Sequence, residues 1–283
     1  MTDISRTILS RDDVLLTDQV AIVTGGAAGI GRGIAIGLAE FGADVAIVDI
    51  DTASAETVAS LIRAKGRRAI VIDANVMDRD AIRDAVDRTV SELGRLDVCV
   101  NNAGGTRPIK LLDMTDAQAD KQIAINLENL VATTQAAAKA MVAGGRGGSI
   151  INVASIEGTR AAPGYSVYAA CKAGMLNFTR TIALELGDHG IRVNAIAPDL
   201  VPTELMAKFA PSIVSDEGKA TQARYIPLGR AGTFDDCAGV AVFLASKLSQ
   251  YVTGITINTD GGTWASSGWT RDDAAPTGWK LFG

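Results

Sequence analysis

The 283-residue sequence has one histidine, His189, and three cysteines, Cys99, Cys171 and Cys237. One imidazole cannot serve both a Ser-His nucleophile and a His-rich metal site. Its setting, Gly187-Asp188-His189-Gly190, predicts a solvated helix end followed by a turn. The cysteines are far apart, odd in number and form no Cys-x-x-Cys pair, which argues against a disulfide framework or a zinc site. No metal is expected. No apolar run approaches the roughly 18 residues needed to span a bilayer. The first residues carry acids and lack the charged-then-apolar pattern of a secretory signal. The expectation is a cytoplasmic protein with no membrane partner. Positive charge is also short: 27 Lys and Arg against 32 Asp and Glu give a net charge of −5, which argues against nucleic acid as a partner. Aromatic residues make up only 5% of the chain, yet Trp264, Trp269 and Trp279 all fall in its last twenty residues.

What is present is a 47% hydrophobic content, enough for one large core. Residues 1–17 show no strong period and are expected to form a loosely packed arm. From Gln19, short β-rich runs alternate with helical stretches. Strands are predicted at Val20–Thr24, Val45–Val48, Ala69–Ile72, Val98–Val100, Ser149–Val153, Arg192–Ile196 and Ile255–Asn258. Helices are predicted through Ile34, Leu38 and Phe41, over Ala53–Ala64 and Ala81–Leu93, and from Ser166 to Leu186. This alternation implies βαβ units and an α/β fold: a doubly wound parallel sheet of Rossmann type, flanked by helices on both faces. Ligands of such sheets lie at the carboxyl ends of the strands. With no internal repeat or linker, one domain is expected over residues 18–263, followed by a Trp-bearing tail over 264–283.

Thr24-Gly25-Gly26-Ala27-Ala28-Gly29-Ile30-Gly31 lies between the first strand and the first helix. Glycines there let a backbone approach a pyrophosphate, which the helix N-terminus attracts through free N–H groups. A tight strand-to-helix turn also needs glycine, so the turn alone is weak evidence. The next strand ends in Asp49, with Asp51 close behind. A carboxylate at that position accepts hydrogen bonds from a ribose diol and repels a 2′-phosphate; a solvated loop acid is the plainer alternative. Neither Ala27 nor Ala28 is basic, and Arg32 lies one residue into the helix, so NAD is favoured over NADP.

Tyr168 and Lys172 are four apart on one helix face. An ammonium beside a phenol favours the phenolate, which makes tyrosine a usable acid/base near neutral pH. Ser155 follows the strand Ser149–Val153, placed to hold a substrate oxygen. A Tyr-x-x-x-Lys pair alone is more often a surface feature. Its combination with a strand-end serine and a phosphate turn carries the weight.

These elements resemble the short-chain dehydrogenases/reductases from about Thr17 to Trp264. The resemblance rests on Thr24-Gly-x-x-x-Gly29-Ile30-Gly31, Asn101-Asn102-Ala103-Gly104, Asn126, Ser155, Tyr168 and Lys172, with thirteen residues from Ser155 to Tyr168. It implies that Tyr168 exchanges a proton with the substrate oxygen, that Lys172 tunes Tyr168 and binds the nicotinamide ribose, that Ser155 polarises the carbonyl, and that Asn126 holds a water linking Lys172 to solvent. It further implies cofactor contacts from Gly25, Gly29, Ile30, Gly31, Asp49, Asn75, Val76, Asn102, Ala103, Gly104, Pro198, Val201 and Thr203. Members of the family are commonly tetramers or dimers, so a homo-oligomer is expected. Two positions depart from the pattern. Asn75 stands where an Asp usually meets adenine, and Pro198-Asp199 stands for Pro-Gly, which puts the local backbone in question.

The segments after Gly104 and after Ser155, with residues 199–225, are expected to bound the substrate site. Leu205, Phe209 and Ile213 follow helical spacing, with Met206 adjacent, and suit either an apolar lid or plain packing. Arg107 and Arg160 flank the same mouth, as surface charges or as partners of an acidic substrate group. The expected substrate is a hydrophobic secondary alcohol or ketone, such as a steroid, terpenoid or acyl compound. The alternatives are an NADPH-dependent 3-oxoacyl thioester reductase and, outside enzymes, a nucleotide-binding scaffold or regulator. The clustered tryptophans suggest a tail that packs across a neighbouring subunit, or else against its own.

Overall fold

The computed structural model describes residues 9–281. Seven strands, β1 (Val20–Thr24), β2 (Asp44–Asp49), β3 (Ala69–Asp73), β4 (Val98–Asn101), β5 (Gly148–Val153), β6 (Ile191–Pro198) and β7 (Thr256–Thr259), form one parallel sheet in the order β3-β2-β1-β4-β5-β6-β7. The central strands are buried on both faces, as parallel strands between helices must be. Along β1 and β2, alternate residues enter opposite cores. Ala21, Val23, Val45 and Ile47 join one, while Val20, Ile22, Ala46 and Val48 join the other.

The first core is closed by α1 (Gly29–Glu40) and α2 (Thr52–Ala64), the second by α3 (Arg79–Leu93). Each of these helices begins where its sequence allows. Asp51 accepts from the Ser54 N–H at 3.0 Å to cap α2, and Asp78 caps α3. Between β4 and β5 run α4 (Asp116–Ile123), a π-helical turn at Ala124–Glu128 and α5 (Asn129–Gly144), which the sequence pattern had not located. α6 (Ser166–Glu185) carries Tyr168 and Lys172 and ends one residue before the predicted stop. His189 is exposed, in a 3₁₀ turn before Gly190, as expected.

After β6 come α7 (Glu204–Phe209), α8 (Asp216–Tyr225) and α9 (Phe234–Ala245), the last of which packs on α1 in the first core. Gly33 and Gly37 permit that approach: a Cβ on Gly33 would stand 2.5 Å from the Phe234 Cβ. Past β7, a short α10 (Thr263–Ser266) leads into an antiparallel hairpin of β8 (Trp269–Arg271) and β9 (Trp279–Leu281).

The N-terminal end departs from expectation. Leu16, near the end of the expected loose arm, is fully buried and belongs to the first core. The Trp-bearing tail is a hairpin docked on its own chain. β8 packs on α8, Arg271 donates to the Pro227 carbonyl at 2.5 Å, and its guanidinium lies 5.1 Å from the centre of the Trp279 ring. No described helix is long and apolar enough to cross a membrane.

Candidate active site

The strand order reverses between β1 and β4, and the crevice at their carboxyl ends is where such a sheet binds ligands. Gly25 and Gly29 take positive φ (64° and 55°), turning the chain from β1 into α1. A Cβ on Gly31 would lie 2.2 Å from the Gly25 oxygen and 2.3 Å from Asn102 Nδ2, so only glycine fits. The N-cap of α1 is Ala28, whose side chain makes no capping hydrogen bond; a carboxylate, that of Glu204, instead accepts from the Gly29 N–H, so the start of the helix already draws an anionic group. A pyrophosphate fits this cradle.

The Asn102 side chain fastens the turn rather than facing outward. Its Nδ2 donates to the carbonyls of Thr24 (2.9 Å) and Gly25 (3.0 Å). Thr24, which opens the glycine motif but to which sequence reasoning gave no role, completes the clasp. Its hydroxyl accepts from the N–H groups of Asn102 and Ala103, both at 3.1 Å. Its signal was a hydroxyl residue ending an otherwise apolar strand. Asp49 lies half-buried at the end of β2 and bonds the same turn, accepting from the Ala27 N–H at 3.0 Å. Asp51 is spent on capping α2.

Asn75 is exposed, and its Oδ1 accepts from the Met77 N–H at 3.0 Å, closing a turn after β3; Val76 is packed into the second core. Val201 is buried. Thr203 caps α7, and its methyl lies 3.0 Å from where a Gly29 Cβ would be, so the segment after β6 rests on the phosphate turn. Met206 and Ile213 are half-buried, while the side chains of Leu205 and Phe209 lie outside the described set. Pro198-Asp199 ends β6 without strain, since Asp199 is not among the residues with positive φ.

The four candidate catalytic residues converge at the carboxyl ends of β4 and β5. Ser155 is buried and hydrogen-bonds Tyr168. Lys172, one turn along α6, donates to the Val153 carbonyl at 2.7 Å. Asn126 is fully buried in the π-helical turn, a distortion often found at functional sites. Its amide donates to the carbonyls of Gly105 (3.0 Å) and Gln122 (2.9 Å), and its Oδ1 accepts from the Gly105 N–H (2.9 Å). It thus pins the loop after β4 beside Lys172. A second buried chain, also missed from sequence, locks β4 to β5 and α6: Asn101 donates to Asn152 (2.8 Å), which donates to Thr179 (2.9 Å).

One electrostatic expectation is corrected. Lysine was expected to pull the tyrosine pKa down, yet burial pushes Tyr168 up to about 12, with the Ser155 hydrogen bond opposing and the Glu157 charge adding to the rise. The reason is that Lys172 is itself buried and spends its ammonium on Val153, with Nζ 5.6 Å from the centre of the Tyr168 ring. Burial brings Lys172 down to about 8. The unfolded chain therefore binds more protons than the fold between about pH 8 and the ordinary 10.5, and stability from this group rises with pH across that window. Below it, the fold carries a buried ammonium. Lys172→Met is thus expected to lose turnover while raising the melting temperature at pH 7 by about 2–4 °C, a gain that shrinks towards pH 10. A lower melting temperature at pH 7 would show that burial is not what depresses Lys172.

Residues 25–263 match the family model described as Enoyl-(Acyl carrier protein) reductase. The chain belongs to the short-chain dehydrogenases/reductases. The 3-oxoacyl-[acyl-carrier-protein] reductase FabG of Staphylococcus aureus is 40% identical over 86% of this chain and 97% of its own. Cyclohexanol dehydrogenase of a Rhodococcus species is 40% identical over 89% of this chain and 98% of its own. Among solved structures, a 7α-hydroxysteroid dehydrogenase complexed with NADH and 7-oxo glycochenodeoxycholic acid superposes with a TM-score of 0.84 at 31% identity, covering 90% of this chain and 98% of that one. As a short-chain dehydrogenase/reductase, the chain is an oxidoreductase of alcohol and ketone groups that works with a nicotinamide cofactor. Among the described residues, no cluster of His, Cys, Asp or Glu is arranged to hold a metal.

Proposed function

We propose that this short-chain dehydrogenase/reductase is an NAD(H)-linked dehydrogenase of hydrophobic secondary alcohols, the steroid-, terpenoid- or acyl-like class. The observation that carries the cofactor choice is the pairing at the turn. Asp49 ends β2 and bonds the turn through the Ala27 N–H, while Arg32, in the first turn of α1, is held by Glu204 at 2.5 Å and stacked over Phe234 at 5.1 Å. A 2′-phosphate would meet a carboxylate and an engaged arginine. Nicotinamide, when bound, supplies the site that gives or accepts the hydride.

The chain's own groups do the rest. Gly25, Gly29, Ile30 and Gly31 cradle the pyrophosphate, with Asn102, Ala103 and Gly104 behind them. Asn75 and Val76 border the adenine, and Pro198, Val201 and Thr203 border the carboxamide. Ser155 holds the substrate oxygen and Tyr168 exchanges its proton. Lys172 sits against the ribose and Asn126 fixes its surroundings. Tyr168 is protonated at neutral pH, as any phenol is, and burial pushes it further that way, so the group enters ready to donate in the reductive direction. Oxidation needs the phenol deprotonated, which its burial opposes.

Titrating NADH and NADPH against the purified protein is expected to show NADH binding at least about tenfold tighter, a gap of about 1.4 kcal/mol, with Asp49→Ser narrowing it. Tighter NADPH binding would favour the second reading, a 3-oxoacyl thioester reductase, for which the likeness to FabG speaks. A homo-oligomer, tetramer or dimer, belongs to this proposal; light scattering from a monomer would remove it.

A further inference from the structure

Asp199, where the family pattern has glycine, joins three strand ends. Its Oδ1 accepts from Arg160 Nη2 at 3.0 Å and its Oδ2 from the Thr263 hydroxyl at 2.6 Å. Arg160 lies just beyond β5, Asp199 just beyond β6, and Thr263 beyond β7. The same guanidinium nitrogen reaches Glu157 at 2.8 Å. Glu157 is two residues from Ser155 and donates its N–H to the Ser155 hydroxyl at 3.2 Å. The 3₁₀ turn between them presses on α6 at the candidate lysine: a Cβ on Gly158 would lie 2.8 Å from the Lys172 carbonyl carbon. There is little slack in that contact, so movement of the turn shifts Ser155 against Tyr168 and Lys172.

We propose that Arg160, Asp199 and Thr263 form a strap across the carboxyl edge of the sheet that holds the Ser155 turn in register and screens Tyr168 from the Glu157 carboxylate. These are positioning residues, and the proposal rests on the reading of Ser155 and Tyr168 given above. The geometry supports it from both ends. The Thr263 end is anchored, because Asp260 caps α10 by accepting from the Trp264 N–H at 2.8 Å. The Arg160 end spans two carboxylates that would otherwise repel each other across the mouth. The charged and titratable groups around Tyr168 are Glu157 from the turn, Tyr165 just before α6, and Cys171 and Lys172 on α6. Of these, Glu157 and Tyr165 disfavour the phenolate. Arg160 is the cation that faces Glu157, so its removal leaves that carboxylate unbalanced. Arg160 is thus held by both Glu157 and Asp199.

The test uses the full chain. The pH dependence of kcat/KM for oxidation of the best alcohol is measured for wild type, Arg160→Ala, Arg160→Lys and Asp199→Asn. Hydrogen exchange of residues 155–160 is followed in the same proteins without cofactor. Arg160→Ala is expected to move the midpoint of the profile up by about half a unit and to quicken exchange in the turn. Arg160→Lys restores most of the midpoint, because charge does the screening, and restores less of the exchange, because the fork does the holding. Asp199→Asn quickens exchange with a smaller change in midpoint. An Arg160→Ala profile that drops without moving its midpoint, or an exchange pattern equal to wild type, overturns the strap. A wild type that oxidises no alcohol sinks the functional reading instead, and the exchange arm still decides the strap.

Discussion

Tyr168→Phe is expected to lower kcat by about 10³-fold, within the range for removing a general acid/base, while leaving the dinucleotide affinity within about twofold of wild type. The substitution keeps the ring and its packing and deletes one oxygen. That oxygen hydrogen-bonds Ser155 in a pocket whose burial holds the phenol protonated up to about pH 12. The loss in fold stability is one hydrogen bond, about 1 kcal/mol, so the melting temperature separates a chemical defect from a folding one. Steady-state rates and a dinucleotide titration on the same preparation check this. If Tyr168→Phe kept more than a tenth of wild-type turnover, proton exchange would have to be assigned elsewhere, and the convergence of Ser155, Lys172 and Asn126 on this residue would be packing alone.

Gly31→Ala is the second large effect, and it acts on binding and stability together. The added methyl would stand 2.2 Å from the Gly25 oxygen and 2.3 Å from Asn102 Nδ2. Neither neighbour is a flexible chain end. One is backbone, and the other is held by two carbonyls. The turn must open, at about 1–3 kcal/mol, which lowers the melting temperature by roughly 2–12 °C. Opening it also misdirects the amides at the start of α1. Losing two amide–phosphate bonds at about 1.5 kcal/mol each weakens dinucleotide binding by about 100-fold. Gly239→Ala is the control. It lies in α9 with nothing within 4 Å of its added methyl, and alanine is the better helix former. Thermal melts and dinucleotide titrations of both variants test the contrast. Equal behaviour would mean that the turn is not the tight cradle described.

The sheet was legible because each of its strands is a short β-rich run bounded by turns, and the seven predicted strands lie within a residue or two of their observed limits. The stretch from Asp116 to Gly144 was not, because no periodic signal marks the π-helical turn. In that turn Asn126 bonds Gly105, a contact twenty-one residues away that spacing does not encode. Of the candidate site, Ser155, Tyr168, Lys172 and Asn126 were named from spacing and resemblance, and the fold gathers them. What sequence could not show was where their hydrogen bonds go. Lys172 turns to Val153, Asn102 to the phosphate turn and Asn75 to its own loop. Tyr168 was expected to be acidified, but desolvation wins over a lysine that is itself desolvated. Asp199 had looked like a misfit in a glycine position. It takes an ordinary backbone conformation and serves as a junction between loops.

The tail could be read two ways from sequence, since large apolar rings at a chain end suit a neighbouring subunit or the chain's own surface. Trp269 and Trp279 flank a hairpin whose cross-strand pair Arg271 and Trp279 stacks within the chain. Trp264 and Trp269 stay about half exposed, at 51% and 46%, so the docking is incomplete.

The most direct test of the central claim is a single assay series: the purified wild type with a panel of secondary alcohols, from cyclic and terpenoid to steroid, and NAD⁺ or NADP⁺ as acceptor, followed as reduced cofactor formed. The account predicts turnover of at least one apolar alcohol with NAD⁺, at a kcat/KM at least about tenfold above that with NADP⁺. Turnover confined to NADPH and a 3-oxoacyl thioester would contradict it.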